Sequence, residues 1–276
     1  MILYFSGVGN TRLVAERLAS LCNDRAVALT PATPPLSDLC RKDEPLVLCF
    51  PVYAWGPPRF VEAYLKRSQH SGAPPSARPY RLYMVCPCGD DIGRTDRLLA
   101  RTLKQKGLPL DAAFSVRMPN TYVALPGFEV DSKELAQEKL AAVPERLAQI
   151  AAAINGRARG VRDVVPGAMP WLKSKVLRPL FYRLFCGDHG FRTTEACNGC
   201  GRCAKVCPVR NIRLSDQRPQ WQGRCTDCLA CFHHCPQRAI RYGRWTEGKG
   251  QWTMKQEQKP PNKNHRRWHK QRKSTT

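Results

Sequence analysis

Eight of the chain's fourteen cysteines fall at regular spacing, as Cys197-x-x-Cys200-x-x-Cys203-x-x-x-Cys207-Pro208 and again as Cys225-x-x-Cys228-x-x-Cys231-x-x-x-Cys235-Pro236. Every matched pair, the prolines included, lies 28 positions apart, so one unit has been duplicated. Thiolates at this density bind soft metals or pair as disulfides. Structural zinc closes its site with four ligands from two Cys-x-x-Cys pairs, which differs from a triplet followed by a more distant Cys-Pro. Disulfides suit secreted chains, whereas Met1-Ile2-Leu3-Tyr4-Phe5 reads as a strand and not as a signal peptide. Each proline fixes φ and removes an N–H, which turns the chain sharply after the last cysteine of its run.

The paired run resembles that of bacterial-type two-cluster ferredoxins, in which the fourth cysteine of each run serves the other cluster. The resemblance therefore implies two [4Fe–4S] clusters. One would be held by Cys197, Cys200, Cys203 and Cys235, the other by Cys225, Cys228, Cys231 and Cys207. Gly199 and Gly201 would let the first loop close around its cluster. His233 and His234, inside the second run, would tune the cluster potential or sit exposed on the loop.

These loops must be carried by something larger. A chain of 276 residues suggests about two domains, with a proper core in at least one. No apolar stretch approaches the roughly 20 residues of a membrane span, and a cytoplasmic setting is expected. The other cysteines (Cys22, Cys40, Cys49, Cys86, Cys88, Cys186) show no ligand spacing, and most are expected to be small buried hydrophobes. The net charge of +23 is uneven. Residues 1–155 hold 19 basic and 15 acidic side chains, a difference of +4, and residues 156–276 hold 26 and 7, a difference of +19. Such a field favours acidic partners, nucleic acid or anionic lipid without choosing among them.

The first half alternates strand and helix. Ile2–Phe5 is an apolar strand, Ser6-Gly7-Val8-Gly9-Asn10-Thr11 a loop of small residues, and Leu13, Val14, Leu18 and Leu21 the apolar side of a helix. A loop between strand and helix offers free N–H groups and the positive helix end to a phosphate, and Ser6 and Thr11 add hydroxyls. An ordinary tight turn would read the same way. Further strands are predicted at 46–50, 81–86 and 112–117, and helices at 57–67, 94–106 and 132–154.

The Ser6–Thr11 stretch resembles the FMN-phosphate loop of flavodoxins. Tyr53 and Trp55, in Pro51-Val52-Tyr53-Ala54-Trp55-Gly56-Pro57-Pro58, resemble the flavodoxin loop that lays an aromatic ring on the flavin, and Cys88-Gly89-Asp90 resembles the loop on its other side. As a whole the chain resembles bacterial and archaeal flavodoxin–ferredoxin fusion proteins over residues 1–155 and 187–243. Met118-Pro119-Asn120-Thr121-Tyr122 is similar to a stretch of that group. The resemblance implies an α/β fold: a flavodoxin-like doubly wound parallel sheet, then a small α+β dicluster ferredoxin domain, with FMN as a further cofactor. Val8 departs from the pattern, which has threonine there. The lost hydrogen bond to a charged acceptor is worth about 1.5–3 kcal/mol at most, and the backbone donors remain.

Residues 156–186 are expected to form a linker, exposed over 156–168. Its helix carries a stripe of Trp171, Leu172, Val176, Leu177, Leu180, Phe181, Leu184 and Phe185, interrupted at Pro179, with Lys173, Lys175, Arg178 and Arg183 opposite. Packing on one of the two domains is the expected use of that stripe; a membrane-surface or partner-binding helix is the competing one. Residues 244–276 read as a basic, disordered tail. No nucleophile–base pair, paired carboxylates or catalytic histidine arrangement is visible. The expectation is an electron carrier with a redox partner protein, acidic by charge complementarity. An FMN and iron–sulfur enzyme acting on a small molecule is the first alternative, and an iron–sulfur protein on nucleic acid the more remote one.

Overall fold

The computed structural model describes residues 1–39, 44–68 and 81–254. Six short apolar segments form one wholly parallel sheet: β1 (Ile2–Tyr4), β2 (Ala26–Ala28), β3 (Leu46–Cys49), β4 (Leu82–Cys88), β5 (Ala112–Arg117) and β6 (Val161–Asp163), in the order 2-1-3-4-5-6. The helices between them are α1 (Asn10–Leu21), the short α2 (Leu36–Leu39), α3 (Arg59–Arg67), α4 (Thr95–Lys104) and α5 (Lys133–Asn155). Both faces of a parallel sheet must be covered. Leu3, Phe5, Leu48 and Met84 pack on one side against Val61 and Leu65 of α3 and Leu99 and Leu103 of α4. Ile2, Val47, Val85 and Phe114 pack on the other against Val14 and Leu18 of α1 and Leu147 and Ile150 of α5. Ser132 caps α5 by accepting the Leu135 N–H at 3.2 Å. The strand order is that of flavodoxin-like sheets with a sixth strand added, and it reverses between β1 and β3, where such sheets place their ligands.

Several expectations need correction. The exposed connection at 156–168 contains β6, which pairs with β5 in register Ala112–Val161, so the sheet extends past residue 155. β4 runs on through Pro87 to Cys88 instead of ending at Cys86. The start of the basic tail is folded: Trp252 and Met254 are buried against Val8 and the α1–α5 side of the sheet. Residues 255–276 of that tail, and Cys40, lie outside the described residues.

The connecting helix runs from Pro170 to Leu184 as α6 (Pro170–Leu172), a π-turn over Lys173–Leu177 and α7 (Arg178–Leu184). Pro179 does not interrupt it. A proline cannot donate to the helix and clashes with the carbonyl four residues back, and widening the preceding turn relieves both problems. The helix packs on the sheet domain, but through its polar side. Ser174, buried, accepts the Arg94 N–H at 2.8 Å and donates to the Trp55 carbonyl at 2.8 Å. Lys173 meets Asp91 at 2.6 Å, and Arg178 meets Glu62 and the Pro57 carbonyl, each at 2.9 Å.

The remaining chain forms two antiparallel strand pairs, β7 (Phe191–Thr193) with β10 (Ile240–Tyr242) and the hairpin of β8 (Ile212–Ser215) with β9 (Arg218–Trp221), around the short helices α8 (Arg202–Val206) and α9 (Ala230–His233). Its core of Ile212, Leu229, Phe232, Ile240 and Tyr242 also takes in Val123 and Ala124, from the loop after β5. Trp252 anchors the strap that follows: its ring is buried, and its Nε1–H donates to Asn10 Oδ1 at 3.0 Å. Trp252→Ala is expected to cost about 3–5 kcal/mol, read as a lower denaturation midpoint together with faster proteolysis after residue 243.

Candidate functional site

The duplication is visible in the backbone. Gly199 and Asp227, Gly201 and Leu229, and Arg210 and Arg238 are matched positions of the two units, and all six have φ between 48° and 70°. The first unit uses glycine at two of these left-handed positions; the second forces aspartate and leucine into the same shape. The hydrogen bonds repeat as well. Asn211 N–H points to Cys207 Sγ at 3.2 Å, and Ala239 N–H to Cys235 Sγ at 3.3 Å. Such bonds to sulfur stabilise a thiolate over a thiol.

The eight thiols are divided into two fours. Cys197, Cys200, Cys203 and Cys235 line one small cavity closed by Leu214, Pro219 and Ile240. Cys207, Cys225, Cys228 and Cys231 line another, closed by Val209, Ile212 and Trp221. In each, three members come from one run and the fourth from the other. Among the described residues no three Cys, His, Asp or Glu side chains converge to hold a single metal ion; in each cavity the four thiols stand around the walls. Burial pushes the Cys228 thiol up to about 12 and the Cys231 thiol well above its ordinary value. Ionising these thiols calls for a strong positive centre between them.

A larger cavity of about 360 Å³ lies at the carboxyl ends of the strands. Its walls are the loop after β1 (Ser6, Gly7, Val8, Asn10, Thr11), the 51–55 loop after β3, the 88–91 loop after β4 and the 118–122 loop after β5. Among the described residues, the backbone N–H groups of Gly7, Val8, Gly9, Asn10 and Thr11 have no protein acceptor, and Ser6 Oγ accepts the next one, from Arg12, at 3.3 Å. This is a cradle of donors at a helix start, with Gly9 at φ 111° forming the bend. The side chains contribute less than expected. Asn10 Nδ2 donates to the Pro119 carbonyl at 2.8 Å and its Oδ1 is taken by Trp252, while Thr11 is buried. Val8 is buried beside Trp252 and Met254.

Tyr53 and Trp55 both reach the cavity, from a tight turn in which Ala54 and Trp55 have φ of 46° and 55° and Tyr53 and Gly56 exchange backbone bonds. Burial, with Cys228 nearby, raises the Tyr53 hydroxyl well above its ordinary pKa. Cys88 is a buried strand residue whose thiol is pushed up to about 12 by burial, and its Sγ lies 3.8 Å from the Val116 carbonyl. Asp90 faces Lys139 at 3.5 Å on the open side.

The far wall of this cavity was not foreseen from the sequence. It consists of Lys173, Phe181, Tyr182 and Cys186 from the connecting segment and Asp227, Cys228 and Leu229 from the second cysteine loop. Tyr182 Oη and Asp227 Oδ2 are buried there without a partner among the described residues. Burial raises the Asp227 carboxyl, against the opposing pull of the Gly187 N–H. The approach of the two loops is close: a Cβ added at Gly7 would lie 2.8 Å from Cys228 Cβ, 3.1 Å from its carbonyl and 3.1 Å from Tyr53 Oη. His233, expected on the cluster shell or in solvent, instead joins three parts of the chain. Its Nε2 donates to the Thr121 carbonyl at 2.7 Å and its Nδ1 accepts the Trp252 N–H at 3.1 Å. Burial lowers it to about 4, so the ring is neutral. Of the other cysteines, Cys49, Cys86 and Cys186 are buried and Cys22 is half-buried.

Residues 196–240 match the 4Fe-4S dicluster domain family, which accounts for both cysteine runs and supports iron–sulfur ligation and a redox role. The chain thus joins a flavodoxin-like α/β fold to a ferredoxin-type domain. No curated protein matches the chain. Among solved structures it is similar to a flavodoxin of Streptococcus pneumonia TIGR4 (16% identity, 57% of this chain and 97% of that one, TM-score 0.36). It is also similar to the Trp repressor binding protein of Bacillus subtilis (15%, 53% and 97%, 0.34) and to an azoreductase of Bacillus anthracis (13%, 56% and 98%, 0.36). The fold assignment rests on the strand order and not on these scores.

Gly7→Ala should separate the Ser6–Thr11 loop from the Cys228 loop, because the added Cβ meets the Cys228 Cβ at 2.8 Å and its carbonyl at 3.1 Å, atoms that move only with the backbone. Hydrogen exchange at 6–9 and 227–230 is expected to speed up together, while exchange in β4 and β5 stays unchanged.

Proposed function

We propose that the chain is an electron-transfer protein in which an FMN site and two [4Fe–4S] clusters form one continuous relay. The observation that carries this reading is the position of Cys228, which lines both the large cavity and the second four-thiol cavity. Cys197, Cys200, Cys203 and Cys235 would hold one cluster, and Cys207, Cys225, Cys228 and Cys231 the other. The open N–H groups of Gly7 to Thr11 would take the FMN phosphate, and Tyr53, Trp55 and the 88–90 backbone would flank the ring system. Bound there, FMN supplies exchange between paired and single electrons, and the clusters supply one-electron steps.

The chain's own residues place these groups and keep water away. Gly7 allows contact with the Cys228 loop, and His233, Trp252 and Ser174 hold the walls together. Cys200 is exposed, so the first four-thiol site is where a partner protein would exchange electrons. The basic surplus of residues 156–276 favours an acidic partner there. A cytoplasmic setting fits reduced thiols in this number.

A second reading is favoured by the unpaired Tyr182 Oη and Asp227 Oδ2. Both side chains line the cavity, and a small molecule held by them would make the protein an oxidoreductase in its own right. Anaerobic turnover separates the two: a carrier reduces redox proteins and shows no saturation with small acceptors.

Anaerobic preparations are expected to contain about eight iron, about eight sulfide and one FMN per chain; zinc with no visible absorbance would overturn the cluster reading. Cys228→Ser and Cys200→Ser give a sharper comparison. On photoreduction of the flavin, electrons should reach the clusters more slowly in Cys228→Ser, with FMN content unchanged. Cys200→Ser should spare that early step and impair delivery to an external protein acceptor. Equal behaviour of the two variants would argue against the order of the relay.

A further inference from the structure

The connecting helix is amphipathic in the wrong sense for a helix that only links two domains. Its polar residues Lys173, Ser174 and Arg178 face inward and are bonded to Asp91, Trp55 and Glu62. Phe181 and Tyr182 also face inward, on the large cavity, but most of its other large apolar residues face outward. Trp171 is 58% exposed, Leu180 49% and Leu184 52%, with Val176 and Phe185 also exposed and Met169 at 67%. Val176, Leu180 and Leu184 follow four-residue spacing, so they share one side of the helix. Met169 and Trp171 extend the patch at its start and Phe185 at its end. Contiguous exposed apolar surface of this kind marks an interaction site. Nothing among the described residues covers it.

We propose that this ridge docks on the surface of a bilayer containing anionic lipid. The combination of an exposed apolar ridge with flanking cations argues for that occupant. Residues 164–187 contain no acidic side chain, and Lys175 and Arg183 are exposed beside the ridge. The half of the chain that carries the ridge has 26 basic and 7 acidic residues. A second copy of the chain would press these same cations against each other, whereas an anionic bilayer neutralises them and takes up the leucines and the indole. No helix among the described residues is long and apolar enough to cross a membrane, so the helix would lie in the interface plane. Phe181 and Tyr182 on its inner side wall the large cavity. Docking would hold that cavity about one helix diameter, roughly 10 Å, from the lipid boundary.

The test is flotation of the full-length, cluster-loaded protein with phosphatidylcholine vesicles containing roughly one-quarter phosphatidylglycerol. The expected result is co-flotation that weakens about tenfold or more in the double variant Leu180→Glu, Leu184→Glu, as buried apolar contact is replaced by like charge. Both positions are exposed, so the variant's visible spectrum and circular dichroism should match the parent. Brominated lipid should quench part of the tryptophan emission in the parent, and that part should be missing in Trp171→Phe. Absence of flotation overturns the proposal. Flotation unchanged in the double variant also overturns it, because the charge of the chain alone would then account for binding. A dimer in sedimentation that the double variant abolishes assigns the ridge to a second copy instead.

Discussion

The contact between Gly7 and Cys228 organises the molecule. One residue belongs to the loop after the first strand and the other to the second cysteine run, 221 positions later. Only a residue without a side chain permits the approach, since a Cβ would meet the Cys228 Cβ and carbonyl at 2.8 and 3.1 Å. Once the two loops touch, a cavity at the strand ends and a cavity lined by four thiols share a wall. The shared wall is Cys228 and Leu229 of the second cysteine loop, and the loops at the strand ends complete the larger cavity around it.

Holding such a contact requires ties that do not slip, and they are polar where they must be directional. His233 is neutral and bonded at both ring nitrogens, to the loop after β5 and to the strap at Trp252. Trp252 in turn reaches Asn10 at the start of α1. Ser174, Lys173 and Arg178 clamp the 51–57 and 91–94 loops from the other side. Buried polar groups of this kind are costly when half-satisfied, so displacing one domain would leave several of them without partners. Apolar contacts cross the junction as well: Val123 and Ala124 enter the small domain's core, and Val209 joins the core of the sheet domain. Turning its polar side inward leaves the connecting helix with an outward apolar face, which a linker of ordinary pattern would have buried.

Much of this is legible in the sequence itself. The alternation of apolar strands with amphipathic helices predicts the parallel sheet, and the Ser6–Thr11 loop falls where strand meets helix. The 28-residue repeat anticipates paired left-handed positions, though not that Asp227 and Leu229 would adopt them where the first unit has glycine. β6 escaped notice because Val161–Asp163 is three exposed residues among glycines and arginines, too short for a period-two signal. The strap escaped because its apolar residues, Trp252 and Met254, stand in a polar, basic context.

Local pattern is set by neighbours within a few residues, and the sequence alone carries it: the element types, the two thiol runs and the uneven charge. The pairing of distant surfaces depends on which polar groups find partners across hundreds of positions. Periodicity encodes an apolar stripe on residues 171–185 but not which way it faces. That was decided in the tertiary structure by Asp91, Glu62 and the Trp55 carbonyl, which bind the opposite side of the helix more directionally than any apolar surface could.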